Sequence, residues 1–473
     1  MTNFNINNDN ILKQRDHNEV SYDDVSKWDN RHYVHPWQVM DQKDDDRLIA
    51  SNAEGIYLYD HHHKRYIDGP GGMWNMQIGY GRKEMAETIA HQAMQLTYHS
   101  PWSFASRPGS ILARKLAELS PGDLNRVFFT TGGSSAVDTA LRFVFFYNNV
   151  RGKTDKKKII AREKGYHGST YLSATMSGKE RDQKHMDTEK RLVHFLPNVN
   201  PYLRPNDMTL DQWCDEKIQD LEQAILKEGA DQVAAFIAEP VLSSGGVIIP
   251  PKNYHKSCLE ICRKYDVLYI SDEVVTAFGR LGHWFASEDV FGIVPDIITC
   301  AKGLTSGYMP LGAVLISEKL LKETEEIDQG QTAFSNGFTY SGHPVACAAA
   351  LKNMDIIERE NLLKHVQQIA PYFQEKLHAL RKHDIVVDTR GIGLIGCIEG
   401  SPTIHIKEED RLQQDYQFGA LLDQTCEEMG LIVRPIINMC VFSPPLIITK
   451  SQIDEMYDIL DRALTKVSRS LLS

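Results

Sequence analysis

The stretch Asp296-Ile-Ile-Thr-Cys-Ala-Lys302-Gly-Leu-Thr-Ser306 decides which fold this sequence predicts. Its apolar run, residues 297–301, is short, continuous and partly β-branched, which is typical of a buried strand. The run ends abruptly at a single lysine, Lys302. An amine at the mouth of a buried strand is costly to desolvate unless it has a partner or a covalent function. A partly desolvated lysine is the kind that attacks a carbonyl to form an imine.

Two further apolar strands end in groups that complement such a lysine. Alone, Lys302 would be explained best as a surface lysine at a strand end. The apolar run 267–271 ends at Asp272, however, and the run 126–130 leads into Gly133 and Ser134 at the start of a helical stretch. Open α/β sheets bind ligands at the carboxyl ends of their strands, so we expect Asp272 and Lys302 on one rim. Small residues at a helix start leave backbone N–H groups free to hold a phosphate.

These groups together match the chemistry of pyridoxal 5'-phosphate. That cofactor has an aldehyde, a ring nitrogen that works best when protonated, and a phosphate. Lys302 would form the imine, Asp272 would face the ring nitrogen, and the turn at Gly133 would hold the phosphate.

From about Trp37 to the C-terminus, the sequence resembles the class III pyridoxal-phosphate aminotransferases of fold type I, which include ω-amino acid and amine:pyruvate transaminases. The residues that carry the resemblance are Lys302, Asp272, the phosphate turn and Gly165-Tyr166-His167-Gly168-Ser169. The resemblance implies an α/β fold with a mostly parallel seven-stranded sheet between helices and a smaller α+β domain from both chain ends. We place the small domain at residues 29–75 and 341–473 and the large domain at 76–340. Residues 1–28 are polar and are expected to form a flexible tail.

The resemblance also implies which residues contact the cofactor, with Lys302 and Asp272 as the catalytic pair. Tyr166 would lie against one face of the ring and Val274 against the other. Thr339 would reach the cofactor phosphate in a partner subunit. The full predicted set is Gly133, Ser134, Tyr166, His167, Glu239, Asp272, Val274, Lys302 and Thr339. Most relatives have Glu or Asp where this chain has Ser135, whose hydroxyl can still serve a helix N-terminus.

Arg434 lies within an apolar run, which suggests capture of a carboxylate. Relatives that use pyruvate place their carboxylate-binding arginine at this position, whereas relatives that use 2-oxoglutarate place theirs where this chain has Val441. The presence of an arginine at position 434 and of a valine at position 441 favours pyruvate as the acceptor. A structural ion pair between Arg434 and Glu239 is the alternative.

Three tryptophans are candidates for the walls of the substrate pocket. In amine-type relatives the equivalent of Trp74 walls the pocket, Trp37 follows a stretch near the active-site entrance, and Trp102 lies in a loop that enters the neighbouring subunit. Each could instead be a packing aromatic. If they line the pocket, it could admit arylalkyl or aliphatic amines, while ω-amino acids and diamines stay open.

The resemblance implies a ping-pong transamination between a primary amine or ω-amino acid and pyruvate. Lys302 holds the cofactor as an imine, is displaced by the donor, and then moves a proton from the donor carbon through a carbanion, leaving pyridoxamine phosphate. The cycle then runs backwards on pyruvate. The active unit is expected to be a homodimer, or a dimer of dimers, with active sites at the subunit interface.

Composition excludes several other classes of function. The net charge of −11 argues against general nucleic-acid binding. No apolar run approaches the roughly 18 residues that a membrane span needs, and the N-terminus lacks a signal pattern, so we expect a cytoplasmic protein. The eight cysteines are scattered and are expected to be free thiols. The histidines at 61–63 fit a solvated hairpin turn better than a metal site, so no metal is predicted.

Four alternatives remain beside this prediction. The same fold could use 2-oxoglutarate, or could carry out an aminomutase or decarboxylase reaction. A doubly wound nucleotide-binding oxidoreductase would need a Gly-x-Gly-x-x-Gly turn, which residues 131–135 lack. A catalytically silent binding protein would have no need for Lys302, Asp272, Tyr166 and Arg434 together.

Overall fold

A computed structural model describes residues 20–38, 40, 47–401 and 408–472 of the chain. Its strands, named in chain order, are β1 Ala50–Glu54, β2 Tyr57–Asp60, β3 Arg65–Asp68, β4 Arg126–Thr130, β5 Lys158–Arg162, β6 Val193–Leu196, β7 Val233–Ala238, β8 Leu268–Asp272, β9 Ile297–Cys300, β10 Gly312–Ile316, β11 Val386–Ile392, β12 Ile395–Gly400, β13 Leu431–Ile432, β14 Pro435–Ile436 and β15 Met439–Phe442. Its helices are Tyr22–His32, Gly71–Trp74, Lys83–Gln95, Arg107–Leu119, Gly133–Val150, Tyr171–Thr175, Glu180–Gln183, Leu210–Glu228, Tyr254–Lys264, Ala286–Asp289, Glu318–Asp328, Pro344–Arg359, Leu362–Ala379, Glu408–Glu428 and Lys450–Leu472. Short 3-10 turns lie at Lys190–Leu192, Pro201–Leu203, Lys302–Leu304 and Leu380–Lys382.

A seven-stranded sheet forms the centre of the molecule, with strand order β4-β10-β9-β8-β7-β5-β6. Neighbours from β9 through β8, β7 and β5 to β6 pair in parallel. Strand β10 runs antiparallel to both β4 and β9. The carboxyl ends of β4, β7, β8 and β9 therefore meet at one rim. The predicted mostly parallel seven-stranded sheet is confirmed.

Helices cover both faces of this sheet, and strand β7 shows why. Every residue of β7 is buried, and successive side chains of a strand point to opposite faces. Ala235 and Ile237 pack in a cluster with the helix Gly133–Val150, whereas Phe236 packs with Leu221 and Cys258 from the helices on the other side. With both faces covered, the strand ends are where the sheet can receive a ligand.

Two smaller four-stranded sheets come from the chain ends, in the orders β1-β2-β3-β13 and β11-β12-β15-β14. Strand β13 pairs in parallel with β3, which joins the C-terminal third to the N-terminal segment. Strands β2 and β3 form the predicted hairpin around the histidine turn. This mixed region from both ends is the smaller α+β part that we expected, while the exact domain boundaries stay a prediction.

The N-terminal segment differs in part from the expected flexible tail. Residues 1–19 lie outside the described residues, but residues 22–28 belong to the helix Tyr22–His32. Ser21 caps this helix by accepting a hydrogen bond from the Asp24 backbone N–H, and acidic and basic residues stand in its first and last turns. These capping signals outweigh the low apolar content of the segment.

The eight cysteines are free and buried. In the described part of the chain, no helix is long and apolar enough to cross a membrane, and no group of three or more His, Cys, Asp or Glu side chains could hold a metal ion.

Candidate active site

A cavity of about 680 Å³ opens at the rim where β4, β7, β8 and β9 end. This volume is within the usual range of roughly 300–1,000 Å³ for small-molecule sites. The cavity brings together most of the predicted site residues, namely Trp37, Trp74, Gly133, Ser134, Tyr166, His167, Glu239, Asp272, Val274, Lys302 and Arg434. Residues as far apart in sequence as Trp37 and Arg434 therefore share one site.

Lys302 stands just beyond the end of β9, at the start of the turn Lys302–Leu304. Its backbone has φ +40°, a left-handed conformation that a lysine rarely adopts without a surrounding structure that holds it there. Its ammonium nitrogen lies 5.0 Å from the centroid of the Trp74 ring. Burial lowers the pKa of Lys302 to about 8, although Asp272 and Glu239 act in the opposite direction. The amine is thus far easier to deprotonate than an ordinary lysine.

Asp272 ends the neighbouring strand β8, and both oxygens of its buried carboxylate have hydrogen-bond partners. One oxygen accepts hydrogen bonds from the Val274 backbone N–H at 3.2 Å and the Thr299 hydroxyl at 3.1 Å. The other lies 2.6 Å from Nδ1 of His167, which is also buried. The His167 backbone N–H donates to Ser177 Oγ at 2.9 Å. This network fixes the orientation of the carboxylate in the wall of the cavity.

The predicted phosphate turn leads into the helix Gly133–Val150. No side chain caps this helix, so its first backbone N–H groups remain available to an anion. A Cβ added at Gly133 would lie 3.1 Å from Val274 Cγ1, so only glycine fits this turn comfortably. Ser134 Oγ accepts a hydrogen bond from the Ser169 backbone N–H at 3.0 Å. Buried Ser135 donates back to the Gly132 carbonyl at 2.9 Å and thereby stabilises the turn itself.

Tyr166 and Glu239 form a second supported pair in the cavity. The Tyr166 backbone N–H donates to Glu239 Oε1 at 2.9 Å, and the Ser243 backbone N–H donates to Glu239 Oε2 at 3.1 Å. Burial raises the pKa of the Glu239 carboxyl above its ordinary value. The Tyr166 hydroxyl lies 2.9 Å from Ser169 Oγ. Glu239 therefore holds the loop that presents the Tyr166 ring.

Arg434 lines the cavity without a carboxylate partner. Its guanidinium carbon lies 5.6 Å from the centroid of the Trp37 ring. No ion pair joins it to Glu239 or to any other acidic side chain that the structure describes, so the alternative of a structural ion pair is not observed. Burial lowers the pKa of Arg434. Val441, by contrast, is fully buried in β15 and does not line the cavity.

Thr339 and Trp102 do not line this cavity. The Thr339 carbonyl accepts a hydrogen bond from the Tyr98 hydroxyl at 2.9 Å, and Trp102 is 96% exposed. Trp102 therefore does not wall this chain's own pocket. The role of both residues at a partner subunit's site stays a prediction.

Sequence reasoning missed a charged group that lines the same cavity: Lys179, Arg181 and Asp182. These residues come from the short turn after the Tyr166 loop, where Lys179 precedes the helix Glu180–Gln183. Other additions are Gln38, Met73, Gly168, Ser244, Val275, Tyr416, Pro435 and Ile436. A run such as Lys179-Glu180-Arg181-Asp182 has no signal that separates it from a solvated turn. Only the path of the chain over the sheet brings it to the cavity.

Comparison with known proteins finds one family and many relatives. Residues 39–464 match the family Aminotransferase class-III. The chain is 38% identical over 421 residues to gamma-aminobutyrate transaminase 1, mitochondrial, from Oryza sativa subsp. indica, covering 88% of this chain and 81% of the relative. It is 36% identical to putrescine–pyruvate aminotransferase from Pseudomonas aeruginosa, covering 90% and 92%. Among solved structures, the omega transaminase from Pseudomonas jessenii in complex with PMP has a TM-score of 0.90 and 34% identity, covering 94% of this chain and 99% of that one.

Proposed function

Because the chain belongs to the class III aminotransferases, which depend on pyridoxal 5'-phosphate, we propose that it transfers an amino group from a primary amine or ω-amino acid to pyruvate by a ping-pong mechanism. The observation that carries the choice of pyruvate is the unpaired Arg434 in the cavity. Donor and acceptor would occupy this one cavity in turn.

The residues of the cavity fit the cofactor. Lys302 supplies an amine whose pKa is near neutral, and Asp272 presents a buried carboxylate to a protonated ring nitrogen. Gly133 and Ser134 begin an uncapped helix that suits a phosphate. The Tyr166 ring and the Val274 side chain both line the cavity and can contact a flat ring.

When bound, the cofactor supplies an aldehyde that amines capture and a ring that takes up electrons from the adjacent carbon. The side chains of the protein anchor the cofactor and move the proton. Lys302 anchors the aldehyde and, once released, removes the proton from the donor carbon that carries the amino group. Asp272, oriented by His167 and Thr299, holds a proton at the ring nitrogen. The buried Trp74 ring lies beside the Lys302 amine.

The acceptor is inferred from the position of the free cation. A guanidinium can bind a carboxylate with two parallel hydrogen bonds, and Arg434 has no competing acidic side chain within the described ranges. Buried Val441 offers no charge to a second carboxylate such as that of 2-oxoglutarate. The relative whose name includes pyruvate, from Pseudomonas aeruginosa, gives support by similarity.

We expect Arg434→Leu to lower kcat/KM for pyruvate by about 100-fold, because a charge-assisted pair with the acceptor carboxylate is lost. The effect should fall mainly on KM. Arg434→Lys is the matched control: it keeps the charge but loses the planar fork, so an intermediate loss is expected. Steady-state rates at a fixed donor concentration and varied pyruvate concentrations give kcat and KM for wild type and for both variants.

A wild-type enzyme that uses 2-oxoglutarate more efficiently than pyruvate would contradict the proposed acceptor. So would an Arg434→Leu variant whose kcat/KM for pyruvate stays within about twofold of wild type, since a lost ionic contact costs more than that.

The lowered pKa of Lys302 predicts how the apoenzyme captures its cofactor. Only the neutral amine attacks an aldehyde. Because the pKa falls from the ordinary 10.5 to about 8, the capture rate should rise with pH up to about 8 and then level off. Stopped-flow absorbance after mixing apoenzyme with pyridoxal phosphate measures this profile. A rate that keeps rising towards the ordinary lysine pKa would contradict the prediction, and Lys302→Ala should show no capture at all.

A further inference from the structure

Lys179 lines the active-site cavity but has no role in the proposed transamination. Its side chain extends from the residue before the helix Glu180–Gln183. The ammonium donates a hydrogen bond to buried Ser244 Oγ and lies 5.4 Å from the centroid of the Tyr166 ring. Tyr166 is the aromatic residue that we place against the cofactor ring. The ammonium is therefore held beside the reacting part of the site.

The charge of Lys179 is not neutralised by the protein. It forms no ion pair with an acidic side chain in the part of the chain that the structure describes. Asp182 and Glu239 act on it only from a longer range. Both acids already have other partners, since Arg181 Nε donates to Asp182 at 2.8 Å and Glu239 accepts two backbone N–H groups. Burial lowers the pKa of Lys179 to about 8, and the nearby cations Arg181 and Lys164 act in the same direction.

A partly buried charge without a counter-ion is unfavourable and needs a reason. Lys302 and Arg434 are the other cations that line the cavity without an ion pair among the described residues. The cofactor takes Lys302, and the proposed acceptor uses Arg434. Pyruvate carries one carboxylate, so it does not account for a second cation. In a ping-pong reaction, the amine donor visits the same cavity at a different time. The donor is thus the molecule whose charge Lys179 can complement.

We propose that Lys179 is a specificity-determining residue that binds an anionic group, a carboxylate or a sulfonate, at the end of the donor remote from its reacting amine. This inference builds on the proposed function and narrows it to acidic ω-amino donors. Trp37 and Trp74 still wall the cavity, but Lys179 adds a charged group to it, which favours acidic donors over purely apolar ones. Ser244 positions the ammonium through its hydroxyl.

The test compares acidic donors with an uncharged donor of matched shape. β-Alanine pairs with isopentylamine, in which two methyl groups replace the carboxylate oxygens, and taurine provides the sulfonate arm. In wild type, the acidic donors should have the higher kcat/KM. Lys179→Met should lower the ratio of acidic to uncharged kcat/KM by about 10- to 100-fold, mainly through KM, as for a lost hydrogen bond to a charged group.

Two matched variants control this experiment. Lys179→Arg keeps the cation and should recover most of the acidic preference. Lys184→Met removes an exposed lysine from the same segment, outside the cavity, and should leave the ratio as in wild type. Whichever anion the wild type prefers, carboxylate or sulfonate, identifies the class of donor.

Two results would overturn the proposal. The first is a wild-type enzyme that prefers isopentylamine to both acidic donors. The second is a Lys179→Met variant that changes acidic and uncharged donors by the same factor, which would mean that Lys179 serves packing alone.

Calorimetric titration of the holoenzyme with propionate and ethanesulfonate separates this inference from the proposed function. Neither anion has an amine, so neither can react. Lys179→Met should raise the Kd of whichever of the two anions binds more tightly by at least about tenfold. Lys179→Arg should leave that Kd close to the wild-type value. If no donor reacts with pyruvate but this loss is seen, the proposed function fails and the anion site stands. If Lys179→Met leaves the Kd of both anions unchanged, the proposed anion site is wrong.

Discussion

Replacing Lys302 by alanine is expected to lower kcat by at least about 10³-fold, because one substitution removes both the covalent anchor and the base that moves the proton. The structure gives the physical reason. The amine lies at the end of β9, beside the Trp74 ring, with a pKa of about 8. A steady-state assay with saturating donor and pyruvate measures the loss. Added methylamine should restore part of the rate, since a small diffusible amine can replace the base.

Lys322→Ala is the matched control for this prediction. Lys322 lies in the helix Glu318–Asp328 with its side chain 62% exposed and forms an ion pair with Glu318 on the same helix. Its removal should change kcat by less than about twofold, as for most surface substitutions. A Lys302→Ala variant that folds like wild type by circular dichroism and keeps more than a tenth of its kcat would contradict the assignment of Lys302.

Asp272→Asn is expected to lower kcat by about 10²- to 10³-fold, the usual cost of removing one electrostatic contact to a reacting group. Asparagine has nearly the same shape as aspartate but carries no charge, so it cannot hold a proton at the ring nitrogen. The buried contact with His167 Nδ1 at 2.6 Å would also have an amide in place of the carboxylate. Single-turnover absorbance with the donor alone isolates the half-reaction in which the loss should appear.

Thr299→Val separates the charge of Asp272 from its positioning. Thr299 donates to Asp272 Oδ1 at 3.1 Å, and its replacement removes one hydrogen bond while the carboxyl group itself stays in place. We expect a loss of about tenfold or less, typical of one hydrogen bond. Equal losses in Thr299→Val and Asp272→Asn would show that orientation, and not charge, is what Asp272 provides.

The rim that holds Lys302 and Asp272 could be predicted from the sequence because it depends on local patterns. Apolar runs that end at a charged residue predict buried parallel strands, and β8 and β9 end where those patterns place them. The helix that begins at Gly133 likewise follows from small residues after a strand. Such signals lie within a few residues of the groups they position.

Lys179 could not be predicted, because its position depends on distant parts of the chain. Its partner Ser244 comes from the loop after β7, and the ring of Tyr166 comes from the loop after β5. In sequence, Lys179 stands among charged residues that resemble an exposed turn. Burial of this kind is a tertiary property that local pattern does not encode.

The role of Arg434 could be predicted from the sequence only in part. Its apolar surroundings in sequence indicated a special role, but they left an ion pair with Glu239 open. The structure resolves this choice because Glu239 is occupied by two backbone N–H groups and does not pair with Arg434. The roles predicted for Trp102 and Thr339 lie at a partner subunit's site. They depend on the contact between two subunits, which the geometry of one chain does not contain.

Transamination through Lys302 is tested most directly by the visible absorbance spectrum of the purified protein with pyridoxal phosphate, recorded before and after adding a donor amine and then pyruvate. We predict a band that requires Lys302, bleaches with the donor and returns with pyruvate. Loss of the band in Lys302→Ala would tie the chemistry to that residue. A bleached band that returns only with 2-oxoglutarate would contradict the acceptor assigned to Arg434. A protein that binds the cofactor but whose band no amine bleaches would contradict the proposed transamination itself.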